Sequence, residues 1–200
     1  MKNIVNLYYL EIDSINKEKI ISSLLLTSDE LSYLKSIKIE KVYNEKLLST
    51  YLKRYYIKDY FLSEYNKPLS NNIFFNISHS DNLIVLATSK YYEIGVDVER
   101  IKYVDDKVKR RVSDAYEYDE LSNDSSFIKF WTAKESLVKA KGTGFIKDIK
   151  KINAYPFDGI KEYMSEKYYS HILKIDDYII SITLKTDNDF KIIKKKISSI

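Results

Sequence analysis

The chain has 200 residues, 44% of them hydrophobic, and 33 Lys and Arg against 29 Asp and Glu give it a net charge of +4. That length and apolar content predict one large domain or two small ones with a true core and exclude a disordered chain. The modest charge argues against a protein built around a nucleic-acid duplex and leaves room for an anionic small molecule or an acidic protein partner. With no cysteine, disulfides and Cys-ligated zinc are excluded. No signal-peptide core and no run of about eighteen apolar residues is present, so the chain reads as a soluble, cytoplasmic protein without a membrane partner.

In chain order, NIVNLYYLEI near the N-terminus predicts a strand. Thr27 and Glu30 have the spacing of a capping box, which predicts a helix opening in TSDELSYLKSI. From Ile39 to about Phe61, Leu47, Leu48, Tyr51, Leu52 and Tyr55 recur at helical spacing, and Pro68 with the Asn/Ser cluster of EYNKPLSNN then reads as loop. IFFNISHS, NLIVLATS and EIGVDVER follow as extended runs with short polar connections and predict an antiparallel meander. VDDKVKRRVSDAYEYDEL and SFIKFWTAKESLVKAKG read as helical, the second stopped by Gly142 and Gly144. The last fifty residues read as β-rich: YYSHILKI, a turn at Asp176 and Asp177, YIISITLK, and the basic tail FKIIKKKISSI as a solvated terminal strand or a frayed end. The fold class is therefore α+β, with two similar halves over residues 1–100 and 101–200, each combining antiparallel strands and helices.

Chemistry concentrates in three places. In IGVDVER, Ile94, Val96 and Val98 alternate with Gly95, Asp97 and Glu99, so strand geometry points the apolar trio one way and both carboxylates the other. Two acids on one face either meet water or are rewarded by a cation. In the second long helix, Phe127, Phe130, Trp131, Leu137 and Val138 form the apolar stripe, and Glu135 stands at its edge with Lys139 four residues on. That pair is either an ordinary helix ion pair worth about 0.2–0.5 kcal/mol or part of a site. Asp97, Glu99 and Glu135 together would supply hard oxygen ligands suited to Mg²⁺ or Mn²⁺. In NISHS, Ser78 and His79 suit phosphate oxygens better than acyl transfer, because as strand neighbours their side chains point to opposite faces and no G-x-S-x-G elbow is present. Neither a Walker A loop nor a G-x-G-x-x-G turn occurs.

Taken in order, EYNKP, FNISHS, IGVDVER and FWTAKESLVKAKGTGF resemble the motifs of the Sfp-type 4′-phosphopantetheinyl transferases, rather than those of the short trimeric holo-acyl-carrier-protein synthases. The match spans about Tyr65 to Phe145, with Asn66 where the family carries Gly and a short segment between Arg54 and Lys67. Asn tolerates left-handed backbone better than most residues, so the turn is compatible with the exchange. The resemblance implies a pseudo-twofold monomer that binds coenzyme A in a cleft between its halves. It would transfer the 4′-phosphopantetheine group to a serine of an acyl or peptidyl carrier protein, or, in a degenerate homologue, hold coenzyme A or the carrier without turnover. It further implies Asp97, Glu99 and Glu135 as Mg²⁺ ligands and Glu135 as the preferred base. Lys139 and the Ser78–His79 pair would contact the phosphates, and Lys67 with Pro68 would flank the adenine. Arg54, Lys38 and Lys41 are the candidates for the 3′-phosphate, and Glu117 resembles a further family carboxylate.

Overall fold

The computed structural model describes residues 3–23, 26–63, 67–121, 123–142, 149–153 and 155–198. Tyr65 and Asn66 of the EYNKP motif, and Gly144, lie outside the described residues. Ten strands and six α-helices follow one another among them. Strand β1 (Asn3–Glu11) leads into α1 (Lys17–Ser23), α2 (Ser28–Ser36) and α3 (Glu40–Tyr56). The short pair β2 (Phe61–Leu62) and β3 (Pro68–Leu69) precedes β4 (Phe74–Ser80), β5 (Leu83–Ser89) and β6 (Ile94–Arg100). Helices α4 (Asp106–Val112), α5 (Ala115–Asp119) and α6 (Asp124–Lys141) are followed by β7 (Gly159–Tyr163), β8 (Glu166–Ile175), β9 (Tyr178–Leu184) and β10 (Phe190–Lys196). Among the described residues no helix is long and apolar enough to cross a membrane.

The local signals are realised as the residues dictate. Thr27 caps α2: its hydroxyl accepts the Glu30 N–H at 3.2 Å, and the Glu30 carboxylate accepts the Thr27 N–H at 2.9 Å. Helix α6 ends at Gly142, whose φ of 76° is the left-handed conformation that glycine adopts without strain. Two boundaries differ from the sequence reading. Helix α3 stops at Tyr56 rather than near Phe61, and the long polar stretch after Arg100 splits into α4 and α5 because Ser113 is extended and Asp114 opens a new capping box with Glu117.

The main correction concerns strand pairing. The three runs 73–80, 82–89 and 93–100 do not form one meander. One sheet has the order β10-β1-β5-β4, and β6 instead pairs antiparallel with β9 in a second sheet of order β6-β9-β8-β7. Of the two alternatives for the basic tail, the terminal strand is the one realised: β10 crosses back and pairs in parallel with β1, Asn3 opposite Phe190 and Tyr9 opposite Lys196. Each sheet thus takes one strand from the other half of the chain, β10 joining three strands from before residue 100 and β6 joining three from beyond it. The reason is apolar fit: Val5, Leu7, Val85 and Ala87 of the first sheet share one core with Val96, Val98, Ile180 and Ile182 of the second, so the sheets bury each other's faces.

Helices cover the outer faces. Leu47, Leu48, Tyr51 and Leu52 of α3 pack on Leu10, Ile84 and Leu86 of the first sheet. On the second, α6 comes unusually close to β6, and Gly95 is what permits it. A methyl group built there would lie 2.0 Å from the Ser136 carbonyl oxygen and 2.4 Å from the Ala140 amide nitrogen. A buried hydroxyl cluster completes the contact, the Ser136 hydroxyl meeting Ser181 and Thr183 each at 2.8 Å, with Ser170 2.9 Å from Thr183.

Candidate active site

Strands β4 and β6 are edge strands of different sheets, and they meet along a seam bridged by side chains instead of a backbone ladder. Asn76 accepts the Val96 N–H at 3.0 Å, the Ser78 hydroxyl donates to Asp97 at 3.0 Å, and the Ser80 hydroxyl donates to Glu99 at 2.8 Å while accepting the Arg100 N–H at 3.2 Å. The period of two in Asn76, Ser78 and Ser80 puts all three on one face of β4, which is why the N-x-S-x-S pattern can grip its neighbour rung by rung. The sequence reading assigned Ser78 to phosphates and gave no role to Asn76 or Ser80. Their alternation was the available signal.

Helix α6 lays two more groups over this seam. Glu135 and Lys139, one turn apart, face Asp97 because the Gly95 contact and the Ser136 hydroxyls fix the height and rotation of the helix. Lys139 Nζ donates to Asp97 Oδ1 at 2.6 Å and to the Ser78 hydroxyl at 3.1 Å. A cavity of about 340 Å³ opens here, lined by Ile77, Ser78, His79, Asp97, Glu99, Trp131, Glu135 and Lys139. Motifs separated by up to 61 residues in the chain therefore converge on one site.

Its electrostatics are those of carboxylates short of solvent. Asp97 is 4% exposed, and burial pushes its pKa up to about 6 against the opposing pull of Lys139, with Glu99 and Glu135 adding repulsion. Asp97 Oδ2 is buried with no hydrogen-bond partner. Burial likewise raises Glu135, Lys139 countering and Glu99 reinforcing the shift. Burial holds the His79 imidazole below its ordinary value, partly offset by Glu45, whose carboxylate is 3.7 Å from Nδ1. An orphaned buried oxygen beside two further carboxylates is a donor set that fits a hard divalent cation such as Mg²⁺ or Mn²⁺. Among the described residues no three such side chains are drawn together closely enough to encircle an ion as they stand.

Other nominated residues lie elsewhere. Lys67 reaches the C-terminal end of α6, its Nζ donating to the Lys139 carbonyl at 2.8 Å, and Pro68 pairs with Leu62 in the small β2-β3 ribbon. Arg54 is not brought into the cavity lining; its guanidinium grips Glu30 at 2.9 Å, and Tyr60 donates to the same carboxylate at 2.6 Å, tying α2 to α3. Lys41 is 3.6 Å from Asp81. Glu117 is buried and ion-paired with Lys134 Nζ, which also donates to the Val112 and Ile149 carbonyls at 3.0 and 3.2 Å, so this carboxylate anchors α6 from behind. Trp131, read from the sequence as stripe alone, both packs on the Phe127–Ile128 cluster and lines the cavity.

A cavity at a strand–strand–helix junction thus joins three carboxylates, a lysine and hydroxyls, the group types that bind phosphates and hard cations. Comparison with known proteins places it further. Residues 93–183 match the family model of the 4′-phosphopantetheinyl transferase superfamily. The 4′-phosphopantetheinyl transferase gsp of Aneurinibacillus migulanus is 42% identical over 87 residues, covering 40% of this chain and 36% of its own. The corresponding transferase HetI of Nostoc sp. is 32% identical over 85 residues, 38% of this chain and 36% of its own. Psf-1 of Bacillus pumilus is 33% identical over 76 residues, covering 35% and 32%. The chain thus matches about a third of the length of these curated relatives. The family segment contains Asp97, Glu99, Glu135 and Lys139 but not Lys67, Ser78 or His79, which only the fold joins to them.

Proposed function

We propose that this protein moves the 4′-phosphopantetheine group of coenzyme A onto a serine hydroxyl of an acyl or peptidyl carrier protein, releasing adenosine 3′,5′-bisphosphate. The observation that carries the reading is the cavity lined by Ser78 and His79 of one sheet, Asp97 and Glu99 of the other, and Glu135 and Lys139 of α6. In this reading the halves 1–100 and 101–200 act as one cytoplasmic monomer, with coenzyme A lying in the cleft between them.

Asp97, Glu99 and Glu135 would hold Mg²⁺, with Mn²⁺ as its substitute. When bound, the metal supplies charge neutralisation at the pyrophosphate oxygens. Lys139 adds a second positive charge where negative charge develops on the leaving phosphate, and the Ser78 hydroxyl and His79 imidazole orient phosphate oxygens from the β4 side. Glu135 takes the proton of the attacking serine hydroxyl. The serine oxygen forms a bond to the β-phosphorus, and the bond from that phosphorus to the bridging oxygen of the adenosine bisphosphate breaks. Lys67, whose Nζ donates to the Lys139 carbonyl at the end of α6, would meet the nucleotide side, with Pro68 as its rigid neighbour.

The test is to incubate the protein with coenzyme A, Mg²⁺ and a panel of apo carrier proteins from fatty-acid, polyketide and nonribosomal-peptide systems, and to read phosphopantetheine addition by intact mass. Release of adenosine bisphosphate without any carrier would instead mark a pyrophosphate hydrolase. Binding of coenzyme A with no addition on any carrier would mark a non-catalytic homologue.

A further inference from the structure

We propose that Lys139 is an internal counter-ion which competes with the divalent metal for the Asp97 carboxylate, so that metal enters the carboxylate site when a pyrophosphate draws Lys139 away. This rests on the reading of Asp97, Glu99 and Glu135 as the metal-holding set.

Three side chains form a closed triangle at the floor of the cavity. Lys139 Nζ is 2.6 Å from Asp97 Oδ1, the Ser78 hydroxyl is 3.0 Å from the same oxygen, and Nζ is 3.1 Å from that hydroxyl. The ammonium on Oδ1 and a metal ion at the same carboxylate, whose Oδ2 is buried with no hydrogen-bond partner, would therefore occupy neighbouring space, and two cations so close repel strongly in a partly desolvated site. Lys139 is also the single cation lining a cavity that holds three carboxylates among its described residues, so displacing it without replacement leaves Asp97 buried and uncompensated.

The main chain of Lys139 is held, and its side chain leaves by breaking only the Nζ contacts to Asp97 and Ser78. Its carbonyl accepts from Lys67, and the helix around it is locked against β6 at Gly95, so the exchange needs only torsions of the lysine stem. That side chain is 29% exposed, against 6% for Asp97, so the ammonium already borders the open cavity. A pyrophosphate there offers it new anionic partners and leaves the Asp97 carboxylate to the metal. Metal and pyrophosphate ligand then bind with positive coupling, each raising the affinity for the other by the same factor.

Mn²⁺ binding to the protein without coenzyme A, followed by electron paramagnetic resonance, tests this. Lys139→Met and Lys139→Gln should each bind Mn²⁺ about tenfold or more tightly than wild type, because the competing charge is gone. Coenzyme A should tighten Mn²⁺ binding to wild type by a larger factor than to either variant. Equal or weaker Mn²⁺ binding by the variants would overturn the competition. Failure of Mn²⁺ to bind any of the three proteins would overturn both it and the metal-site reading, whereas carrier modification tests the transferase reading separately. A wild-type measurement keeps the proposal open to refutation should the variants fold poorly. Reductive methylation at Lys139, read by peptide mass, should speed up with Mn²⁺ and slow again when coenzyme A is added, and an Mn²⁺-independent rate would overturn it.

Discussion

Replacing Gly95 with alanine probes the contact that sets the site. The added methyl would stand 2.0 Å from the Ser136 carbonyl oxygen, 2.4 Å from the Ala140 nitrogen and 2.9 Å from the Lys139 carbonyl carbon, all of them backbone atoms of α6. No rotamer change can relieve a clash with helix backbone. Restoring ordinary contact distances of about 3.2 to 3.5 Å requires the helix to retreat by more than about 1 Å. Overpacking of this kind costs about 3 kcal/mol or more, which for a chain of this size lowers the melting temperature by about 6 to 12 °C. The same retreat lifts Glu135 and Lys139 off Asp97, and a 1 Å misplacement of reacting groups costs about a hundredfold in rate. Thermal unfolding followed by circular dichroism measures the first effect, and carrier modification under saturating coenzyme A the second. A Gly95→Ala protein that melts within about 2 °C of wild type and transfers at the wild-type rate would refute the argument that this approach fixes the site.

Because the folded pKa of Asp97, about 6, lies above its unfolded value, the folded protein binds the extra proton between the two. Its contribution to stability is thus fully present below about pH 4 and is lost as pH rises to about 6, by up to about 3 kcal/mol. Asp97→Asn should remove that slope, read as the difference between wild-type and variant denaturant midpoints across this range. Glu135→Gln should abolish carrier modification while changing unfolding free energy by less than about 1 kcal/mol, since Glu135 is half-buried at a cavity wall instead of in the core. Lys134→Met should cost about 3 to 5 kcal/mol by leaving Glu117 charged and buried, and adding Glu117→Gln should recover much of that loss in urea unfolding.

Much of this protein was legible in its residues taken locally. The capping box at Thr27 and Glu30, the left-handed stop at Gly142, the apolar stripe of α6 and the split of Val96 and Val98 from Asp97 and Glu99 all follow from backbone periodicity and short-range hydrogen bonding, which operate within a few residues. The order of the motifs pointed to the superfamily that residues 93–183 match. Tertiary structure alone decided which strand β6 would join, that β10 would return beside β1, and that Asn76, Ser78 and Ser80 would grip β6 across the seam. It also turned Arg54 toward Glu30 and Glu117 toward Lys134. Pairing between distant strands is settled by how whole apolar faces fit and which buried polar groups find partners, quantities that no spacing along the chain contains. Gly95 shows the division: the sequence marks a glycine in a strand, and only the packed helix shows that its missing side chain makes room for the backbone that carries Glu135 and Lys139.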